Sequence, residues 1–142
     1  MNTEIKFKIV TPDGVVYDDA IEKVSIPTTT GQITVLPNHI PLVSQVAVGE
    51  LLVYKGNEPV VIAVSRGILE VRPNSEVYIM ADNAERAEAI DLERAEAARQ
   101  RAQELIAQKQ VEDVDFARIQ AMIEREVNRV KVGRKYRKLP PG

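Results

Sequence analysis

The 142 residues contain no cysteine, no tryptophan and a single histidine, His39, which lies between Pro37 and Pro41. Without cysteine there are no disulfides, thiolate metal sites or cysteine nucleophiles, a pattern that fits a reducing compartment. With one histidine there is no two-histidine metal site and no histidine relay. No G-x-x-x-x-G-K or G-x-G-x-x-G loop occurs, and the close carboxylates, Asp18 with Asp19 in an expected turn and Asp113 with Asp115 near an expected cap, fall short of a calcium loop. No metal site is expected, and the chain reads as a binding or structural protein rather than an enzyme. Apolar runs never reach the roughly 18 residues of a membrane span, and the amino terminus lacks the marks of a signal or transit peptide. Aromatics make up 4% of the chain, so a core must rest on Val, Ile, Leu and Ala, which supply much of the 44% apolar content.

Glycine and proline are also missing from residues 74–132, although both are frequent before that stretch. Because they punctuate turns and break helices, the gap divides a turn-rich β part from a helical part. The expected fold is α+β: an antiparallel β-sandwich over residues 1–84, then a hinge and an antiparallel helical hairpin with a basic tail over residues 85–142. The charge divides at the same place. Residues 1–83 carry 6 Lys/Arg against 10 Asp/Glu, whereas residues 84–142 carry 13 against 11. The basic surplus is terminal: Arg129, Lys131, Arg134, Lys135, Arg137 and Lys138 follow one another with no acid between them. A solvated tail and an anionic partner both fit such a run.

Ile5, Phe7 and Ile9 alternate with Lys6 and Lys8, the two-residue period of a half-buried strand. Strands are also expected over residues 15–17, 20–26, 32–36, 50–55, 59–64, 68–72 and 76–81. Turns fall at Thr11-Pro12-Asp13-Gly14, Pro27 through Gly31, Gly56-Asn57 and Pro73-Asn74-Ser75. Pro37-Asn38-His39-Ile40-Pro41 reads as a structured loop. About nine or ten short strands at this spacing indicate a sandwich or flattened barrel.

Helix signals begin after Asp82. Asp82 with Glu85 resembles a capping box, and Asp91 before Leu92 is an equally good N-cap; in the second case residues 84–90 form a linker. Ala95, Ala98, Ala102, Leu105 and Ile106 form a narrow seam. Asp115 is expected to cap a second helix with Val114 and Ile119 as a staple, and Gly133 to end it. Phe116, Ile119, Ile123, Val127 and Val130 form its apolar stripe. Burying those five side chains yields about 7 to 15 kcal/mol, while ordering roughly 40 residues costs several times more. The hairpin must therefore lean on the sandwich or on a partner.

Polar side chains concentrate on this hairpin. Arg118, Arg125 and Arg129 share one flank of the second helix, and the Arg125/Arg129 pair at i, i+4 is mildly destabilising unless an anion or acid such as Glu126 answers it. Asp91 and Arg94 meet at a helix start. Together these groups form a cap and a solvated charged face, or a site for one small polar ligand.

Several motifs in order resemble the epsilon subunit family of F-type ATP synthases: Thr11-Pro12-Asp13-Gly14 with Val16-Tyr17; Gly31-Gln32-Ile33-Thr34-Val35-Leu36-Pro37-Asn38-His39-Ile40-Pro41-Leu42; Ser65-Arg66-Gly67-Ile68-Leu69-Glu70-Val71; and Ala84-Glu85-Arg86-Ala87-Glu88-Ala89-Ile90-Asp91. Gln32 departs from the acid often found there. The resemblance implies a non-catalytic rotor subunit whose sandwich grips the γ subunit and sits on the c-ring, with residues 28–32 and Asn38-His39 facing the ring. It implies membrane contact only through the complex, at the cytoplasmic face of a bacterial plasma membrane or the stromal face of a thylakoid. It also implies a hairpin that is compact when permissive and, when extended into the catalytic α/β subunits, inhibits ATP hydrolysis, its basic tail meeting an acidic segment of the β subunit. Some members bind regulatory ATP through I-D-x-x-R-A, matched by Ile90, Asp91, Arg94 and Ala95, together with positions matching Glu85, Arg125 and Arg129. No other cofactor is implied. The rival reading, a sandwich adaptor whose basic helix binds nucleic acid, has only Tyr136 for base stacking beside the charges.

Overall fold

The computed structural model describes residues 2–108 and 113–137. Ten strands come first: β1 (Ile5–Thr11), β2 (Gly14–Ile21), β3 (Lys23–Thr28), β4 (Gly31–Val35), β5 (Leu42–Val46), β6 (Gly49–Lys55), β7 (Glu58–Val64), β8 (Gly67–Arg72), β9 (Glu76–Ala81) and β10 (Ala84–Arg86). A 3₁₀ turn (Ala87–Ala89) leads into α1 (Leu92–Ala107) and α2 (Asp113–Arg137). The strands follow the order β10-β7-β6-β3-β5-β8-β9-β1-β2, with β4 branching from β3. β3 and β5 share one pair, Thr28↔Val46, and the sheet folds over there into two layers.

Alternation builds the core between the layers. In β1 Ile5, Phe7 and Ile9 are buried, and Phe7 meets Tyr17 of β2 with ring centroids 5.7 Å apart. Ile21, Val24, Ile26, Leu51, Ile62, Leu69 and Ile79 complete most of the interior. This aliphatic core is the one the composition requires. The tight turns also fall where expected: Gly14 and Gly56 have φ of 129° and 75°, values open to glycine but strained for other residues.

The sheet differs from expectation in four places. β1 pairs in parallel with β9, with Phe7 opposite Val77, so the sandwich is not wholly antiparallel; strands this far apart in the chain need no tight turn between them. β5 was not expected, because its apolar Val43 faces outward, 71% exposed, while Ser44 occupies an inward position of the alternation. Pro27 lies inside β3, between the residues paired to β6 and Thr28, which pairs to β5, where the ladder is already interrupted. Asp18 and Asp19 belong to β2 rather than to a turn, with Asp19 bonded to Lys55.

The helical part holds further corrections. Residues 84–90 are not a free linker: β10 pairs antiparallel with β7, so the sheet continues past residue 84, and Ala87 and Ile90 are buried. α2 already starts at Asp113, which places Asp115 within the helix instead of at its cap. Residues 109–112 of the expected connection and Lys138 of the tail lie outside the described residues. Gly133 does not end α2. It sits inside the helix, where an added Cβ would lie 2.8 Å from Leu92 Cδ2 and 3.2 Å from Ile90 Cγ2. Its role is close approach.

Burial along the expected stripe of α2 is uneven. Val130 is buried, whereas Phe116 and Val127 are 46% and 41% exposed, and Val132, outside the stripe, is buried. In α1 the seam narrows to Ala95 and Ala102, with Leu105 exposed. The helices pack on each other, and the stretch of α2 from Glu124 onward carries its polar side-chain contacts to the sandwich. β7 is apolar on both faces for this reason: Ile62 and Val64 enter the sandwich core, while Val61 and Ala63 join Ala87, Ile90 and Val132 in a second cluster beneath the helices.

Candidate functional site

The two-residue period of β10 sorts its side chains. Ala84 packs on the sandwich core, and Arg86 lies over the Tyr17 ring with its guanidinium carbon 5.1 Å from the centroid. Glu85 points the other way, toward α2. There Arg129 Nε donates to Glu85 Oε2 at 2.7 Å and Nη2 donates to Oε1 at 3.2 Å, a bidentate pair. Arg129 Nη1 also donates to Glu126 Oε2 at 2.8 Å, and Arg125 Nε donates to Glu126 Oε1 at 3.3 Å. Glu85, Arg129, Glu126 and Arg125 thus form a row of alternating charge. Burial works against the charge on Arg129, but Glu85 and then Glu126 outweigh it and raise the guanidinium pKa above its ordinary value.

This row borders a cavity of about 290 Å³ lined by Asn83, Ala84, Glu85, Arg125, Glu126 and Arg129. The structure therefore brings together Glu85, Arg125 and Arg129 from among the candidate residues. Asp91 and Arg94 are not among its lining residues. They start α1 instead, where Asp91 Oδ1 accepts the Arg94 backbone N–H at 3.2 Å as an N-cap, and both residues are exposed. Ile90 and Ala95 are buried as packing residues, and the Ile90 carbonyl accepts a hydrogen bond from Arg137 Nη2 at 3.0 Å. Glu126 was foreseen only as a partial answer to its arginines. Its position after Arg125 and three residues before Arg129 is the sequence signal that marks it as a member of the site.

Around the row, three further contacts tie α2 to the sandwich. Arg66 pairs with Glu124 at 2.7 Å, Lys135 with Glu50 at 3.0 Å, and Asn128 Nδ2 donates to the carbonyls of Gly49 and Val64 at 3.0 and 3.3 Å. Arg134 is bonded to Glu96 of α1. Much of the cationic run is therefore engaged within the fold. No cluster of three or more potential metal ligands occurs among the described residues.

Two family models match the two parts of the chain. The model described as "ATP synthase, Delta/Epsilon chain, beta-sandwich domain" matches residues 4–87, and the model described as "ATP synthase, Delta/Epsilon chain, long alpha-helix domain" matches residues 88–133. The chain belongs to the ATP synthase epsilon-chain family. The ATP synthase epsilon chain of Bacillus subtilis is 47% identical over 131 residues, covering 92% of this chain and 98% of that relative. The Bacillus licheniformis epsilon chain is 45% identical over 130 residues with the same coverage. Among solved structures, a chain in the cryo-EM structure of Euglena gracilis mitochondrial ATP synthase (OSCP/F1/c-ring) superposes with a TM-score of 0.70. At 23% identity, covering 87% of this chain and 78% of that one, it supports the fold alone. As an epsilon chain, the protein is a non-catalytic subunit of ATP synthase. Among the described residues, no helix is long and apolar enough to cross a membrane.

Proposed function

We propose that this epsilon chain works in the central stalk, holding the γ subunit and the c-ring through its sandwich and coupling proton-driven rotation to ATP synthesis. The observation that carries this reading is the contrast between the outer faces of the two layers. The hairpin covers Val61 and Ala63 on β7, whereas the outer face of β5, β8 and β9 is left uncovered among the described residues, with Val43, Ile68 and Met80 exposed by 71, 47 and 55% beside Gln45, Glu70 and Arg72. Ile68 is the direct cross-strand partner of Met80, and Val43 lies on β5 two residues from Gln45, the partner of Ile68, so the three apolar side chains share one face of the sheet. This is the proposed γ-docking face.

The ring-facing candidates adjoin it. The turn after β3 is fixed by Thr28 Oγ1, which bonds Thr30 Oγ1 and the Gly31 carbonyl. Asn38, at φ 65°, donates its backbone N–H to Ser75 Oγ at 2.6 Å. Stiff loops of this kind transmit torque without first yielding. Membrane contact in this reading is only through the complex, at the cytoplasmic face for a bacterial host.

The hairpin is the proposed regulatory arm. Docked on β6 and β7 it is permissive, and released toward the catalytic α/β subunits it restrains ATP hydrolysis. Regulatory ATP is proposed to favour the docked form, its phosphates meeting Arg125 and Arg129 and its adenine meeting Asp91 near Arg94. The pair of guanidiniums, the adjoining cavity and the exposed Asp91 carboxylate support this reading.

Copurification with the γ subunit, followed by ATPase assays of the reassembled enzyme with and without residues 91–142, tests both roles. Val43→Asp with Ile68→Asp is expected to abolish γ capture, and truncation to raise hydrolysis. Retained capture would remove the proposed docking face; unchanged hydrolysis would remove the inhibitory arm. The nucleic-acid reading is disfavoured because Arg134 and Lys135 are paired to Glu96 and Glu50.

A further inference from the structure

Glu126 is the only buried charged side chain among the described residues, with 3% of its surface exposed. It spends both carboxylate oxygens on the two arginines that border the cavity: Oε1 accepts from Arg125 at 3.3 Å and Oε2 from Arg129 at 2.8 Å. Towards a guanidinium, a carboxylate offers the same charge sign and the same two-oxygen geometry as a phosphate. Arg125 and Arg129 are further balanced by Glu85, so the four charged groups lining the cavity sum to zero.

We propose that Glu126 is the affinity-setting residue of the ligand site, an internal anion already occupying the position on the arginines that a polyphosphate would take. The inference rests on the reading that Arg125 and Arg129 receive phosphates. Glu85 comes from β10, so it moves away if sheet edge and helix separate. Glu126 stands on the same helix as both arginines, one residue after Arg125 and three before Arg129, and travels with them. Any phosphate drawn to these arginines meets a fixed, buried negative charge between them. The repulsion from Glu126 grows with the number of phosphates and offsets part of the attraction that the two arginines supply.

The test is calorimetric titration of the full chain with ATP, AMP and adenosine, comparing wild type, Glu126→Gln, Arg125→Ala and the double variant. Hydrogen exchange over residues 84–90 confirms that the hairpin stays docked. Glutamine keeps the side-chain shape and removes the charge. The expected result is ATP binding tightened about ten-fold or more in Glu126→Gln, the effect of removing a like charge a few ångström away in a partly buried site. AMP should gain less and adenosine nothing, and the double variant should lose the gain.

Equal or weaker ATP binding by a docked Glu126→Gln protein overturns the inference, while the phosphate reading survives if Arg125→Ala still weakens binding. ATP binding indifferent to Arg125→Ala in both backgrounds, or no binding by any variant, sinks the phosphate reading and the inference together. If Glu126→Gln releases the hairpin, the wild type itself decides. The Glu126 carboxyl carbon resonance should move as ATP saturates the site, and a resonance that stays fixed overturns the proposal.

Discussion

Replacing Arg129 by alanine should release the hairpin from the sheet edge while leaving the sandwich folded. Arg129 makes three charge-assisted bonds, at 2.7 and 3.2 Å to Glu85 and at 2.8 Å to Glu126. Hydrogen bonds to charged groups contribute about 1.5 to 3 kcal/mol each, but a plain sum overstates the loss, because water partly replaces the guanidinium at Glu85. The larger part of the cost falls on Glu126, which is left almost without solvent and with one weaker partner, Arg125. Removing one partner of a buried pair costs about 3 to 5 kcal/mol. Since the side chain of Arg129 is 20% exposed and Glu85 is 24% exposed, about 2 to 4 kcal/mol is the better expectation here. Arg125→Ala provides the contrast. Its side chain is 37% exposed and its contact with Glu126 is at 3.3 Å, so about 1 kcal/mol or less is expected.

Amide hydrogen exchange separates these outcomes from global unfolding. In Arg129→Ala, amides of residues 84–90 and 124–133 should exchange ten-fold or more faster, the factor that corresponds to about 1.4 kcal/mol. Amides of β1, β8 and β9 should not change. In the double variant Arg129→Ala, Glu126→Gln, at least about 1 kcal/mol should be recovered, because the stranded charge is gone. Equal effects for Arg125→Ala and Arg129→Ala, or protection at residues 84–90 within 0.5 kcal/mol of wild type (~two-fold), would refute the claim that the charge row latches the hairpin.

Gly67→Ala should be among the most damaging single-methyl changes in the sandwich: the added Cβ would lie 2.2 Å from the Met80 carbonyl oxygen and 2.7 Å from Ala81 Cα, so backbone must move, at about 3 kcal/mol or more in urea unfolding. Asp91→Ala removes the N-cap of α1 and should cost about 1 kcal/mol, read as faster exchange in the first turn of that helix with the sandwich unaffected. Tyr17 should ionise above its ordinary pKa of 10.0, because burial, and then Asp19, disfavour the phenolate. A folded value raised above the unfolded one means that the associated stability is complete below pH 10 and is lost as pH rises through the folded value. Spectrophotometric titration of the four tyrosines should show one late component that Tyr17→Phe removes.

Most of the sandwich was legible because its signals are local. Ile5, Phe7 and Ile9 alternate cleanly, and Gly14 and Gly56 stand where a positive φ is required. β5 escaped notice because Val43 faces outward while Ser44 faces inward, which breaks the alternation of apolar and polar residues that reveals strands. The site was half legible. An acid between arginines is visible in sequence, but that Glu85 reaches the same arginine depends on β10 pairing with β7, a contact between remote residues. Gly133 misled for a similar reason. A glycine near the end of a helix reads as a stop signal, and only the tertiary crossing over Ile90 and Leu92 shows that it is needed for its missing side chain.

The docking that the proposed switch must undo is shallow in apolar terms. Of the buried side chains in the cluster beneath the helices, Val61 and Ala63 belong to the sheet, Ala87 and Ile90 to the junction, and only Val132 to the hairpin, with Leu92 partly buried beside it. Fully burying a valine is worth about 1.5 to 3 kcal/mol, so the apolar term alone cannot hold 41 described helical residues in place. The rest of the attachment is polar: Arg129 to Glu85, Arg66 to Glu124, Lys135 to Glu50, and Asn128 to two strand carbonyls. Exposed ion pairs of this kind are weak and screened by salt, leaving the charge row as the strongest single tie. An attachment built this way can be shifted by any ligand that distinguishes the docked row from the separated one by a few kcal/mol, and a ligand bound equally by both shifts nothing. Arg129 therefore occupies the position of greatest leverage: through its bidentate pair with Glu85 it carries the strongest tie between the helices and the sheet edge.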